Sequence, residues 1–266
     1  MKKSIFMGLV AILGLIGCTR NQEIDIQENG LTLVARTESP ADTKTVVEEG
    51  VHVYWEPGDE IAVFMGEKMA KFSTDITAAS GTATFKGTFV DESWPEELDL
   101  WAVYPYSEEA VFDGETITTT ISSVQIAREE SFAQGANVSI AHSTSSNLQF
   151  YNVCGGVRFT VEEEGISSVR FVSSNHEPIA GKVKVSFKND LPYIDFVIKG
   201  EDSIVLYAPE GTAFVPGKFY YFTTLPVSLS AGYTLSLFRD NQSASKEYQD
   251  MITIYDYAML YLKSFL

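Results

Sequence analysis

The segment Leu31-Thr32-Leu33-Val34-Ala35 sets the rule for nearly everything after it: apolar side chains at every second position, closed off within a few residues. Comparable runs recur at residues 51–55, 60–65, 82–89, 98–104 and 116–121, and again at 157–161, 169–172, 181–187, 194–198, 204–208, 220–225, 233–238 and 251–262. Period-two alternation puts one set of side chains on one face of a pleated strand. Gly, Pro, Asp, Asn and Ser punctuate the runs, as turns between strands require. No segment carries an apolar stripe at helical spacing over three turns. Short strands with turns every ~8–12 residues predict an all-β chain built of β-sandwiches.

The length admits one large core or two smaller ones. The longest polar, small-residue stretch in the middle is Ala141-His142-Ser143-Thr144-Ser145-Ser146-Asn147, and strand signal resumes directly after it. The expected organisation is therefore two tandem sandwiches, residues 37–146 and 147–266. Residues 18–36 are expected to hold a polar tether and the first strand.

Residues 1–17 have a different character. Met1-Lys2-Lys3 precedes an apolar run from Ile5 to Ile16. That run is too short to span ~30 Å of hydrocarbon comfortably, and it reads as a secretory signal. Leu15-Ile16-Gly17-Cys18 resembles the bacterial lipobox, in which the cysteine is acylated and becomes the mature N-terminus. Cys18 would then hold the protein at the outer membrane surface through acyl chains. The alternative is an ordinary signal peptide followed by an incidental cysteine.

Loss of the signal removes Lys2 and Lys3 and leaves 17 basic against 36 acidic residues, a formal charge of −19. So negative a surface repels nucleic acid and suits an exported, soluble domain. With Cys18 lipidated, Cys154 has no partner within the chain, so stability must come from packing and sheet hydrogen bonds. Cys154 lies between strand-like residues with no neighbouring cation, which suits a buried thiol better than a catalytic one.

The chain shows no constellation for catalysis. Its three histidines, His52, His142 and His176, lack metal-ligand spacing. There is no nucleophile elbow, dinucleotide fingerprint or phosphate loop. Acidic pairs such as Glu108-Glu109 and Glu129-Glu130 are frequent among 36 acids, so adjacency carries little information. Asp240-Asn241-Gln242 lacks the glycine and terminal glutamate of a calcium loop. No enzyme activity, metal or cofactor is expected. Trp55, Trp94, Trp101, Tyr104, Tyr106, Tyr220, Tyr221, Tyr255, Tyr257 and Tyr261 have two readings, a sugar-stacking platform or the filling of a sandwich core. The second is preferred.

Two segments stand apart. The early strand at residues 31–35 stops at Arg36 and runs into polar sequence. The last run, 251–262, is apolar in both phases apart from Thr253 and Asp256, so it wants cover on both faces. Either it is a buried central strand, or it leaves its own domain and completes a neighbour by strand addition.

Several local patterns, in order, resemble the fimbrillin family, the lipoprotein pilins of type V pili. They are the lipobox at Cys18; Thr43-Lys44-Thr45 followed by Val53-Tyr54-Trp55-Glu56-Pro57-Gly58-Asp59-Glu60-Ile61; and Leu148-Gln149-Phe150 with Asn152, Cys154-Gly155-Gly156-Val157-Arg158-Phe159 and Ile179-Ala180-Gly181. The resemblance implies two transthyretin-like sandwiches and export as a lipoprotein. It also implies cleavage by a trypsin-like protease between Arg36 and Thr37, with Arg20 and Lys44 as nearby alternatives. Removal of the first strand would open a groove for a terminal strand of the next subunit. The candidate donor residues are Ile252, Ile254, Ala258, Leu260 and Leu262. Asp202-Ser203-Ile204 resembles an O-glycosylation pattern of such bacteria, with Ser203 as acceptor.

The expected function is that of a fimbrial subunit serving adhesion, partnered by other fimbrial subunits. Stalk, tip and anchor roles stay open. The rival reading is a monomeric surface lipoprotein that binds a glycan or host ligand.

Overall fold

A computed structural model of the 266-residue chain describes residues 26–27, 30–38, 53–89, 97–240, 242–255 and 259–261. The signal segment and Cys18 lie outside the described residues, as do Trp94, Tyr257, Ala258 and Leu262.

The first strands are β1 (Ile26–Gln27), β2 (Gly30–Arg36), β3 (Glu60–Met65), β4 (Lys68–Thr74), β5 (Thr82–Gly87), β6 (Leu100–Tyr104), β7 (Val111–Phe112) and β8 (Ile117–Ile121). They are followed by β9 (Val124–Ile126), β10 (Ser139–Ser143), β11 (Asn147–Gln149), β12 (Tyr151–Asn152), β13 (Gly155–Thr160), β14 (Ser168–Ser173), β15 (Ala180–Lys188) and β16 (Leu191–Glu201). The last are β17 (Ser203–Tyr207), β18 (Phe219–Thr224), β19 (Val227–Leu229), β20 (Tyr233–Arg239), β21 (Gln242–Tyr248), β22 (Ile252–Ile254) and β23 (Met259–Tyr261). The described residues contain no helix. The protein is all-β, as the alternation predicts.

The first sheet runs β1-β2-β5-β4-β3-β6-β10-β12, with β11 added alongside β2. A second, four-stranded sheet runs β16-β15-β8-β7. The remaining sheets are β21-β20-β14-β17-β9, β18-β13-β23 and the pair β19-β22.

Strand β3 shows how the layers stack. Ile61 and Val63 join a core with Leu33, Phe72, Phe85 and Leu100, all from the first sheet. Ala62 and Phe64, on the opposite face, join a second core with Ile117, Ile121, Val183 and Val185 of the four-stranded sheet. A strand covered on both faces reads as a continuous apolar run, which explains Ile61-Ala62-Val63-Phe64. The third core lies between the other sheets, with Val169, Phe171, Ile204 and Leu235 facing Val157, Phe159 and Phe222. Phe159 and Phe222 stack there with ring centroids 4.9 Å apart.

Three expectations differ from the structure. Residues 53–54 form no strand, and Trp55 makes a single bridge to Ser80. The polar stretch at 141–147 contains the end of β10, a serine-rich turn and the start of β11, all within the first sheet. In that turn the amide of Ser145 donates to Ser143 Oγ and that of Asn147 to Ser145 Oγ. Pairing also runs across this stretch, since β8 bonds to β15 and β9 to β17. Finally, residues 251–262 do not form one continuous strand: β22 pairs with β19, and β23 runs parallel to β13.

Candidate functional site

Strand β2 is built to be inside. Leu31, Leu33 and Ala35 point into the first core at 1%, 0% and 0% exposure, while Thr32 and Val34 are half-buried on the other face. On one side β2 pairs antiparallel with β5, from Leu31 opposite Gly87 to Arg36 opposite Thr82. Its other side is shared. β1 pairs with Gly30 and Leu31, and β11 runs parallel to it from Asn147 opposite Val34 to Gln149 opposite Arg36. On the β5 side, Gly87 allows a close approach of β4: a Cβ there would lie 2.5 Å from the Lys71 carbonyl oxygen and from Phe72.

The end of β2 is clamped. Trp55 is 2% exposed, and its indole N–H donates to the Ala35 carbonyl at 3.1 Å. Its ring meets Phe85, Tyr104 and Phe150 edge-on, at centroid distances of 4.9, 5.4 and 5.0 Å. The turn Glu56-Pro57-Gly58-Asp59 aims it. Asp59 N–H donates to the Glu56 carbonyl, and Gly58 takes a φ of 84° as a type II turn requires. The Asp59 carboxylate accepts the Glu56 amide at 2.8 Å and the Tyr104 hydroxyl at 3.0 Å. Burial pushes the Asp59 carboxyl above the ordinary carboxylate range. Glu56 also pairs with Arg128 at 2.5 Å. The Trp-x-x-Gly-Asp stretch thus holds the first strand in place, which spacing alone did not reveal.

Arg36 has an exposed side chain at the end of β2. The peptide bond that follows is tied on both sides. The Arg36 carbonyl accepts the Phe150 amide at 2.8 Å, and the Thr37 amide donates to the Gly81 carbonyl at 2.9 Å. The Thr37 hydroxyl reaches the same carbonyl at 3.3 Å.

The terminal segment lies on its own chain. Ile254, 2% exposed, belongs to the third core, and Ile252 packs against it half-buried. Thr253 Oγ1 meets Ser228 Oγ at 3.0 Å. Further on, Leu260 stands opposite Val157 in register. Gly155 makes room for the crossing: a Cβ there would lie 2.5 Å from Ile254 Cγ2 and 2.8 Å from the Tyr255 carbonyl oxygen.

The other sequence candidates are dispersed. Ser203 is half-buried at the start of β17, opposite Val172, and its Oγ accepts from Arg170 at 3.3 Å. Cys154 is 1% exposed, and burial pushes its thiol up to about 12, so it is a poor nucleophile. Among the described residues no group of His, Cys, Asp and Glu could hold a metal ion. No described helix is long and apolar enough to cross a membrane. Most of the aromatics placed by the structure are core: Trp55, Tyr220 and Tyr221 are buried, Trp101, Tyr104 and Tyr106 half-buried, and Tyr255 exposed.

No protein-family model matches the sequence, and no curated protein matches it. Solved structures do. A Bacteroides ovatus protein assigned to cell adhesion aligns over 87% of this chain and 91% of its own, at 10% identity and a TM-score of 0.51. A Bacteroides uniformis protein assigned the same role aligns over 84% and 90%, at 18% identity and a TM-score of 0.42. A fimbrial assembly protein of Parabacteroides distasonis aligns over 88% and 90%, at 13% identity and a TM-score of 0.40. At these identities the likeness is one of fold, and it rests on the first comparison, which spans nearly the whole of both chains. The chain thus has the fold of the Bacteroides ovatus protein assigned to cell adhesion.

Proposed function

We propose that the chain is a structural subunit of a cell-surface fimbria serving adhesion. In this reading it is exported as a lipoprotein acylated on Cys18 and reaches the outer membrane. It is then cut between Arg36 and Thr37 and joined to other fimbrial subunits by strand exchange.

The observation that carries the reading is the position of β2. It is a short interior strand with partners on both sides, and it ends at an exposed arginine. Its two buried leucines contribute about 1.5–3 kcal/mol each in burial. Cutting after Arg36 frees the strand to leave. Its loss would open a trough over the first core and strip the facing backbone groups of β5 and β11 of their partners. Such a trough is costly when empty, so a strand supplied by another subunit binds it strongly. The contact is head-to-tail and does not close, so it yields filaments.

The test is to treat the purified chain with a trypsin-like protease and follow assembly by size-exclusion chromatography and electron microscopy. The proposal expects a product beginning at Thr37 that forms filaments. A cut product that stays monomeric at high concentration would remove the strand-exchange reading.

A further inference from the structure

Resting on the reading of Arg36–Thr37 as a cut site, we propose that the connection Ser146–Phe150 is a strap that shields this bond from a protease. Processing then waits on the lifting of the strap, and β2 stays paired with β5 while it happens.

The Arg36 side chain is exposed, so a protease that reads a basic side chain can find it without any movement of the fold. The bond itself is out of reach. A protease of this kind holds its substrate as an extended strand, through backbone hydrogen bonds along an open edge. β2 has no open edge near Arg36. On the β5 side it is paired in register from Leu31 to Arg36, and the Thr37 amide carries the pairing on to the Gly81 carbonyl at 2.9 Å. On the other side the strap fills the edge. The Val34 amide donates to the Ser146 carbonyl at 2.9 Å, Asn147–Gln149 runs parallel to Val34–Arg36, and the Phe150 amide donates to the Arg36 carbonyl at 2.8 Å.

The two sides are not equally held. β5 is an interior strand: it pairs with β4 as well as β2, and its Phe85 is fully buried in the first core. The strap lies at the margin of the sheet, and among the described residues β11 pairs with β2 alone. The turn that leads into it is largely exposed and stitched by the hydroxyls of Ser143 and Ser145. What holds the strap down is Leu148 and Phe150, each 1% exposed in the first core. Withdrawing them clears the edge of β2 at Val34–Arg36 and leaves its pairing with β5 intact. Cleavage through such a local opening follows the population of the open form.

The experiment treats the full chain with trypsin under native conditions and reads the fragments by mass spectrometry. Val34 and Asn147 stand opposite each other in register, on the face away from the first core. Neighbouring strands lie about 4.7–4.9 Å apart, within the Cα separation that a disulfide spans. Val34→Cys with Asn147→Cys, oxidised, is expected to slow the cut at Arg36 about tenfold or more, and reductant to restore it. An oxidised pair, verified by mass, that is cut as fast as the reduced one would overturn the proposal.

Leu148→Ala loosens the strap without adding a bond and is expected to speed the cut by about tenfold or more. Hydrogen exchange in this variant is expected to rise at the Phe150 amide and to stay unchanged at the Thr37 amide on the β5 side. An unchanged rate of cutting, or equal loss of protection at both amides, would overturn the strap as the gate. Leu235→Ala, in the third core, is expected to leave the rate at Arg36 unchanged. A matching acceleration there would mean that the cut follows global unfolding, and the proposal falls. Cutting confined to other basic residues in every variant would remove Arg36–Thr37 as the cut site, and the reading falls with the proposal.

Discussion

The indole N–H of Trp55 donates to the carbonyl of Ala35 across 3.1 Å inside the first core, and this bond fastens the last turn of pairing before Arg36. Trp55→Phe keeps most of the ring packing and removes the indole bond, while the Ala35 carbonyl still faces its ladder partner Ala83 on β5. The expected cost is about 0.5–1.5 kcal/mol of stability. Local opening of the end of β2 should become correspondingly more frequent, so limited trypsin digestion at Arg36 accelerates about tenfold for each ~1.4 kcal/mol lost. Mass spectrometry of the fragments checks it. An unchanged rate at Arg36 would mean that the indole does not hold the strand.

Gly155 is the corresponding point for the other end of the chain. Gly155→Val drives a side chain into Ile254 and the Tyr255 backbone, which a Cβ alone would approach to 2.5 and 2.8 Å. The expected result is release of the terminal segment with the rest of the fold intact. Hydrogen exchange should show lost protection at Ile252–Ile254 and Met259–Tyr261 and retained protection in β14 and β20. Uniform loss of protection would indicate that the segment is integral to the third core.

Gly87→Ala tests the close approach of β5 and β4. The added methyl would sit 2.5 Å from the Lys71 carbonyl and from Phe72, where the obstacle includes backbone. A destabilisation of about 1–3 kcal/mol is expected in urea titrations.

Two carboxylates should respond to pH in opposite senses. Asp59 is raised above its ordinary value near 3.8, first by burial, so its contribution to stability is full below that value and is lost as pH rises through the raised folded value. Glu177 is held well below its ordinary value near 4.5, first by the Ser173 hydroxyl and then by that of Ser230. Its contribution is full above that value and is lost as pH falls through the lowered folded value. Between about pH 3 and 7, the wild type should lose ground to Asp59→Asn on alkalinisation and to Glu177→Gln on acidification. Urea midpoints across that range report both slopes.

How legible the chain was follows from what each strand packs against. Alternation exposed β2, β14, β17 and β20 because one face is core and the other is not. β3 was found as an unbroken apolar run for the opposite reason, since it is covered on both faces. β21 gave no signal: Gln242–Tyr248 is polar, exposed along almost its whole length and held by pairing with β20. Trp55 gave a misleading one, because the residues before it look like a strand and its bridge to Ser80 is a single contact. The polar stretch 141–147 looked like a linker because serine hydroxyls serve its turn, a local need that composition does not distinguish from a boundary. Arg36 and the terminal run were visible as oddities. The interior position of the strand that Arg36 ends was not, because it depends on β11, more than a hundred residues later in the chain.

The measurement that bears most directly on the account is the N-terminus of the protein in surface material sheared from cells, read by mass spectrometry. The account predicts polymeric material whose chains begin at Thr37, with the acylated Cys18 segment absent. Material consisting only of monomers that still begin at acylated Cys18 would contradict it, because no trough would have been opened for another subunit to fill.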